Sequence, residues 1–286
     1  MVYNSKMDKK HLKRLDDLLE NTGDMALKRR AKSIIINLDP KPGDNILDVG
    51  CGDGYYLHLI SNLGIKNLTL TGTDFDKDAL VSAKNNLKGK KIKFVWSDLM
   101  KKSPFKTGQF NKIVMSEVVE HLPDDVKCLK EVRRILSKGG TICISVPNAN
   151  YPLFWDPINR VLEWTTGKHI ESGFFAGLWN KHIRLYKPEV LKSVMESAGF
   201  SVLSTKSLTY WCLPFNHYIV NLTARAIHSG KLSPSLKASV NKYELKPKRP
   251  LLLNFAFWLV NKIDILNDLA PIKNSGVGVF CVATKK

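Results

Sequence analysis

No apolar run in the sequence is long enough to cross a bilayer, which removes a membrane-spanning helix from the expectation. Cysteine is sparse. Its five copies are scattered and form no C-x-x-C pair. That excludes a disulfide scaffold or a four-cysteine zinc site and fits free thiols in a reducing compartment. The stretch Met1 to Asp17 is polar and charged, so no secretory leader is expected. Internal repeats and low-complexity tracts are also missing. Acidic residues are in short supply, with 26 Asp and Glu against 44 Lys and Arg, a net charge of +18. Half of that surplus lies in residues 205 to 286, where twelve basic residues meet three acidic ones. Such a surface attracts nucleic acid, anionic lipid or acidic glycan. The alternative is a lysine-rich background of solvated faces. What is present is otherwise ordinary. A chain of 286 residues with 44% hydrophobic content can hold one large domain, or a domain with an appendage. A cytoplasmic protein is expected, with peripheral contact to the inner face of a membrane left open.

The most specific run is Ile46-Leu47-Asp48-Val49-Gly50-Cys51-Gly52-Asp53-Gly54. It predicts a buried strand, then a turn in which Gly50, Gly52 and Gly54 let the backbone bend sharply and approach a ligand, with Cys51 as a small residue between them. A helix over Tyr55 to Leu63 follows. Strand, glycine turn and helix form the nucleotide-cradling unit of doubly wound folds. Two details argue against a dinucleotide site. The spacing is G-x-G-x-G, and Asp48 would repel a pyrophosphate but could hold an ammonium. Further strands are expected over Leu68 to Thr73, Ile92 to Trp96, Phe110 to Met115 and Thr141 to Val146. The last follows a helix and glycine stop at Arg133 to Gly140. Asp48, Asp74, Asp98 and Glu117 then fall at or near strand carboxyl ends, where open α/β sheets bind ligands. An acid at the end of the second strand, here Asp74, is placed to grip a ribose diol, and Phe75 to stack on a base.

The run Ile46 to Tyr56 resembles the first motif of class I S-adenosylmethionine (SAM) methyltransferases. The likeness extends over about residues 30 to 208 and the last strand. It implies a seven-stranded, mostly parallel, doubly wound α/β sheet of Rossmann-like methyltransferase type with helical insertions. It also implies SAM as cofactor, held by Asp48, Gly50, Cys51, Gly52, Gly54, Asp74, Phe75, Asp98, Leu99 and Ser116. In the family the acid after the third strand accepts from the adenine amine.

The chemistry concentrates in Ser116-Glu117-Val118-Val119-Glu120-His121-Leu122-Pro123. If a helix starts near Ser116, Glu117, Glu120 and His121 share one face. Two carboxylates and an imidazole there suit Mg²⁺, Mn²⁺ or Zn²⁺. The stretch is similar to the Glu-x-x-Glu-His of the ubiquinone-biosynthesis O-methyltransferases, and of the small-RNA 2′-O-methyltransferases, in which a later His completes a metal site. His182 matches that later His in order, and His169 is a weaker candidate. Glu117, Glu120, His121 and His182 are therefore the candidate catalytic and metal-binding set. Open readings are a metal, a general base without metal, and a structural hydrogen-bond role.

The expected organisation is a helical extension over 1–30, a SAM-binding domain over 31–208 and 276–286, an aromatic substrate lid over 151–185 and a helical insertion over 209–275 between the last two strands (Phe200 to Leu208 and Val277 to Thr284). Within the last insertion Tyr210 to Ile227 and Leu251 to Leu269 read as apolar helices. The second could cap the core, form a groove for an apolar substrate, or lie in a membrane interface with Phe255, Phe257 and Trp258 inserted and Lys248, Arg249 and Lys262 at headgroups. The function expected is SAM-dependent O-methylation of an apolar or lipid-linked small molecule. The alternatives are an RNA 2′-O-methyltransferase, which the charge favours but no RNA-binding module supports, and a non-catalytic SAM-binding partner subunit.

Overall fold

Strand runs such as Ile46-Leu47 and Ile142-Cys143-Ile144 are apolar on both faces, so the sheet must lie between two helical layers. The structure, a computed structural model, describes residues 7–213, 215, 218–219, 222, 225, 233, 239–245, 248–269 and 275–286. The seven expected strands form one sheet: β1 (Asn45–Val49), β2 (Thr69–Asp74), β3 (Ile92–Trp96), β4 (Phe110–Ser116), β5 (Leu136–Pro147), β6 (Ser201–Leu208) and β7 (Gly278–Thr284). Their order is β3-β2-β1-β4-β5-β7-β6. β1 to β5 run parallel, and β7 is antiparallel to both β5 and β6. The doubly wound expectation is met. The chain reverses its winding between β1 and β4, and folds of this type bind ligands beyond the carboxyl ends at such a point.

The flanking helices are α1 (Lys9–Leu19), α2 (Met25–Leu38), α3 (Tyr55–Ser61), α4 (Lys77–Asn86), α5 (Asp125–Ile135), α6 (Pro157–Thr166), α7 (Pro188–Ser197) and α8 (Leu251–Leu269). Their starts follow local chemistry. Asp24, Asp76, Asp124 and Asp156 each accept from backbone N–H groups of the first turn that would otherwise lack partners. One sheet face is buried by side chains of α1, α2 and α3, the other by α5 and α7. Helix α2 packs on β5 and β7, and the boundary expected after residue 30 falls inside it.

Two local expectations differ from the structure. The segment Arg133 to Gly140 is not a helix with a glycine stop. Helix α5 ends at Ile135, and Leu136 already pairs with Phe110 of β4. Gly139 N–H donates to the Lys285 carbonyl at 2.7 Å, so the segment is used as sheet edge. No helix begins at Ser116 either. β4 runs to Ser116, Glu117 takes a left-handed φ of 56°, and only a 3-10 turn, Val119–His121, follows. Two β-branched residues and Pro123, which disfavours helical backbone at Leu122, leave too short a run for an α-helix.

The aromatic segment 151–185 contains α6 and a 3-10 stretch, Phe174–Trp179. Its polar kernel is Asp156, buried and saturated by Asn159, Leu178 N–H and the Tyr218 hydroxyl. The expected helix at Tyr210 to Ile227 lies largely outside the described residues. Its first residues, Tyr210 to Leu213, are not helical, and Tyr210 and Trp211 donate their N–H groups to Asn267 of α8 at 2.8 Å each.

Candidate functional site

The glycine turn is built for close approach. Gly50 has φ 66°, and a Cβ on it would stand 2.3 Å from Val118, which no ordinary packing admits. Gly52 has φ 51° and faces open space, so its backbone is presented bare to a ligand. Gly54 leads into α3, and Cys51, buried beside it, donates its N–H to Thr73 at 3.0 Å.

Asp48 is buried at the end of β1, and its Oδ2 has no hydrogen-bond partner. Burial first, then the charges of Asp74 and Asp53, push its carboxyl well above the ordinary aspartate range. A buried acid left without a partner is an invitation to a cation, and the ammonium of SAM is one. Asp74 ends β2. Its Oδ2 accepts from Gly52 N–H at 2.8 Å and its Oδ1 from Asp76 N–H at 2.9 Å. It therefore shapes the glycine turn. Phe75 is exposed and lies 6.0 Å, centroid to centroid, from Trp96, whose Nε1 donates to its carbonyl. Asp98 accepts from Met100 N–H at 2.9 Å, and Leu99 is buried behind it. Replacing Asp74 with Ala is expected to weaken SAM and S-adenosylhomocysteine by roughly 2–5 kcal/mol, the worth of two charge-assisted bonds. Calorimetry giving unchanged affinity would remove Asp74 from the ribose role.

Beyond β4 the four expected chemical residues divide. Glu120, His121 and His182 converge, and one ligand atom from each lies within 4.8 Å of the others. Glu120 Oε1 is 3.9 Å from Nε2 of both imidazoles. The segment 151–185 is tied in by Ile183 N–H, which donates to the Glu120 carbonyl at 2.9 Å. Both rings turn Nδ1 to a carbonyl, His121 to Lys181 at 2.8 Å and His182 to Leu178. A carbonyl only accepts, so in the neutral rings Nδ1 carries the hydrogen and the Nε2 lone pairs face Glu120. Glu120 is 0% exposed, and neither carboxylate oxygen has a hydrogen-bond partner. Burial, then the charge of Glu117, raises its carboxyl well above the glutamate range.

Glu117 turns away from this cluster, contrary to the shared-face expectation. Its Oε2 pairs with Arg30 of α2 at 3.1 Å, and its Oε1 accepts from Ser145 at 3.4 Å. Burial opposes the Arg30 cation, but Glu117 and Tyr56 outweigh it and hold the guanidinium above its ordinary value. Ser116 joins the same network, bonded to Tyr56 at 2.9 Å and to Ser145 at 2.8 Å. His169 lies elsewhere, stacked on Trp179 at 3.6 Å. Arg30, Tyr56 and Ser145 were not legible as site residues. Tyr56 lies two residues beyond Gly54 and carried a weak signal, but nothing local marks Arg30. A further clasp joins the late insertion to the turn: Lys242 pairs with Asp53 at 2.7 Å, and the Tyr243 hydroxyl donates to the Asp53 carbonyl at 2.8 Å.

A family profile described as a methyltransferase domain matches residues 40–207. The chain belongs to the class I SAM-dependent methyltransferase family. It is 31% identical over 204 residues to cycloartenol-C-24-methyltransferase of Arabidopsis thaliana, a match covering 68% of this chain and 57% of the plant protein. It thus spans little more than half the length of that relative. It is 27% identical over 182 residues to the ubiquinone biosynthesis O-methyltransferase of Paracidovorax citrulli, covering 62% of this chain and 71% of that one. Among solved structures, phosphoethanolamine N-methyltransferase 2 of Haemonchus contortus in complex with S-adenosyl-L-methionine shares the fold. Its TM-score is 0.54 at 16% identity, over 89% of this chain and 52% of that one. The residues present fit SAM: the orphaned Asp48 oxygen would answer its ammonium, and the open space beside Gly52 would leave room for the ligand.

Proposed function

We propose that the protein transfers the methyl group of SAM to a hydroxyl oxygen of an apolar or lipid-linked small molecule. The observation that carries this reading is the cluster of Glu120, His121 and His182 beyond the end of β4, with a buried carboxylate lacking partners and two imidazole nitrogens turned toward it. Methyl transfer needs in-line attack on the sulfonium carbon. An oxygen lone pair forms the new O–CH₃ bond, and the C–S pair returns to sulfur, giving neutral S-adenosylhomocysteine. The protein's work is to position the partners and to take the hydroxyl proton. His121, the more exposed ring at 39%, accepts that proton on Nε2, and the new positive charge favours the carboxylate form of Glu120 beside it, which stabilises the imidazolium. The acceptor class is supported by the names of the relatives, which specify a sterol and ubiquinone biosynthesis, and by the exposed aromatics of the lid, Trp164 and Phe175.

The same three residues fit a divalent ion, because two imidazole nitrogens and one carboxylate oxygen converge on a spot that leaves Glu120 uncompensated. Two nitrogens favour Mn²⁺ or Zn²⁺ over Mg²⁺. A bound ion would supply a lowered hydroxyl pKa in the acceptor. Glu117, held by Arg30, would not be a ligand.

The test offers isoprenoid phenols and sterols with labelled SAM and locates the label by mass spectrometry. Label is expected on oxygen. His121→Ala and Glu120→Gln are each expected to lower kcat by about 10²–10³-fold, with SAM affinity unchanged. A chelator that abolishes turnover assigns the ion. Full activity in chelator leaves His121 as base. Label on carbon, label in RNA but in no lipid, or full activity of both variants overturns the reading.

A further inference from the structure

An amphipathic helix on a globular protein turns its apolar side to the core. Helix α8 does so only in part. Val260 and Ile263 pack inward, but so do the polar residues Asn261, Asp264, Asn267 and Asp268. Arg29 of α2 pairs with Asp264 and, at 2.9 Å, with Asp268. Lys28 donates to Asn261 at 2.7 Å, and the buried Asn267 bridges Tyr210, Trp211 and the Trp211 carbonyl. These contacts pin the rotation of the helix at several successive turns. The consequence is an outward stripe of Leu251 (87% exposed), Leu252, Phe255, Trp258 (53%), Leu266 and Leu269 (75%). At about 100° per residue these six occupy one arc of roughly 100–120°, and Lys262 lies within it.

Large exposed apolar patches mark interaction sites. Charge, length and residue type select the occupant. Lys262 sits among the apolar side chains with Nζ 5.8 Å from the Trp258 ring, the arrangement of a cation that reaches a headgroup while its stem and neighbour insert. Lys248 is exposed just before the helix. Arg249, expected at headgroups, is instead used internally, bonded to Asn21 and stacked on Phe257. The stripe carries no acid, since Asp264 and Asp268 are consumed by Arg29. Among the described residues no helix is long and apolar enough to cross a membrane, so the helix is suited to lie on a bilayer. A second protein as partner would have to bury Lys262 at the centre of an apolar interface, whereas a phosphate headgroup neutralises it.

We propose that the outward face of α8 is a docking surface for an anionic lipid bilayer, with Phe255 and Trp258 inserted at the acyl boundary and Lys248 and Lys262 at headgroup phosphates. It does not depend on which acceptor is methylated, because binding is read without turnover. It also gives the inward acids of α8 a reason: they are drawn in so that the surface presented is greasy and cationic.

The full-length protein is sedimented with vesicles of phosphatidylcholine and phosphatidylglycerol, and with phosphatidylcholine alone. Binding is expected to the anionic vesicles, to fall only in part in high salt, and to drop at least tenfold in the double variant Phe255→Ser, Trp258→Ser. Lys248→Glu with Lys262→Glu should abolish the preference for anionic lipid. Leu251→Ser with Leu269→Ser, at the helix ends, should weaken binding as well. SAM affinity and the thermal midpoint should stay at the parent values in each, which shows the fold intact. The proposal is overturned if the parent does not sediment with anionic vesicles, or if the aromatic variant binds as well as the parent. It is equally overturned if ultracentrifugation finds a concentration-dependent dimer that the aromatic change dissolves, or if the protein binds single-stranded RNA with a steep salt slope and no vesicles.

Discussion

Asp48→Asn is expected to make the ligand-free protein more stable near pH 8 while weakening SAM roughly tenfold to a hundredfold. The two effects share one cause. Asp48 is buried, one of its oxygens has no partner, and burial with the neighbouring charges of Asp74 and Asp53 holds its carboxyl above the ordinary range. A carboxyl whose folded pKa is raised contributes stability that is full below the unfolded value, about 3.9, and is lost as pH rises through the folded value. The parent therefore loses stability toward alkaline pH that Asn does not lose. Near pH 4 the two should be alike, and the gap should open as pH rises. A buried polar group without a partner costs about 1–3 kcal/mol, several degrees in the thermal midpoint at this size. With SAM present the order reverses, because the ammonium supplies the missing charge and the charge-assisted bond is lost in Asn. Thermal scans across pH, with and without SAM, check both halves. A variant less stable than the parent at pH 8 without ligand would show that Asp48 is already satisfied.

Arg30→Met should cost about 1–3 kcal/mol of stability, since it removes the cation paired with Glu117, a carboxylate 26% exposed and so partly screened by solvent. The Arg30 to Glu117 pair lies 3.1 Å apart behind the cofactor turn, with Tyr56, Ser116 and Ser145 bonded around it. Adding Glu117→Gln to Arg30→Met should restore much of the loss, because the pair is then removed together. Urea unfolding of the four proteins in a double-mutant cycle gives the coupling. An Arg30→Met variant within 1 kcal/mol of the parent would mean that the pair is solvated.

The strands and the cofactor turn were readable because their signals are local. Apolar runs four to eight residues long, glycines at fixed spacing and acids at strand ends are dictated by backbone sterics and burial within a short window. The chemical cluster was readable only in part. Glu120, His121 and His182 could be named from Glu-x-x-Glu-His and a later His. The face they share does not come from a helix, since the chain after β4 must turn at once and Glu117 takes a positive φ to do so. Glu117 was misplaced because its partner, Arg30, stands 87 positions earlier and reaches it only when α2 packs across β5 and β7.

The sequence by itself determined the family, the sheet and the glycine cradle, whose causes lie within a dozen residues of one another. It also determined that Leu251 to Leu269 would be an apolar helix. Only the tertiary structure decided which way that helix is turned. Arg29 and Lys28 on a distant helix draw Asp264, Asp268 and Asn261 inward, because an ion pair and hydrogen bonds made there hold one rotation of the helix, with much of its apolar side left outward.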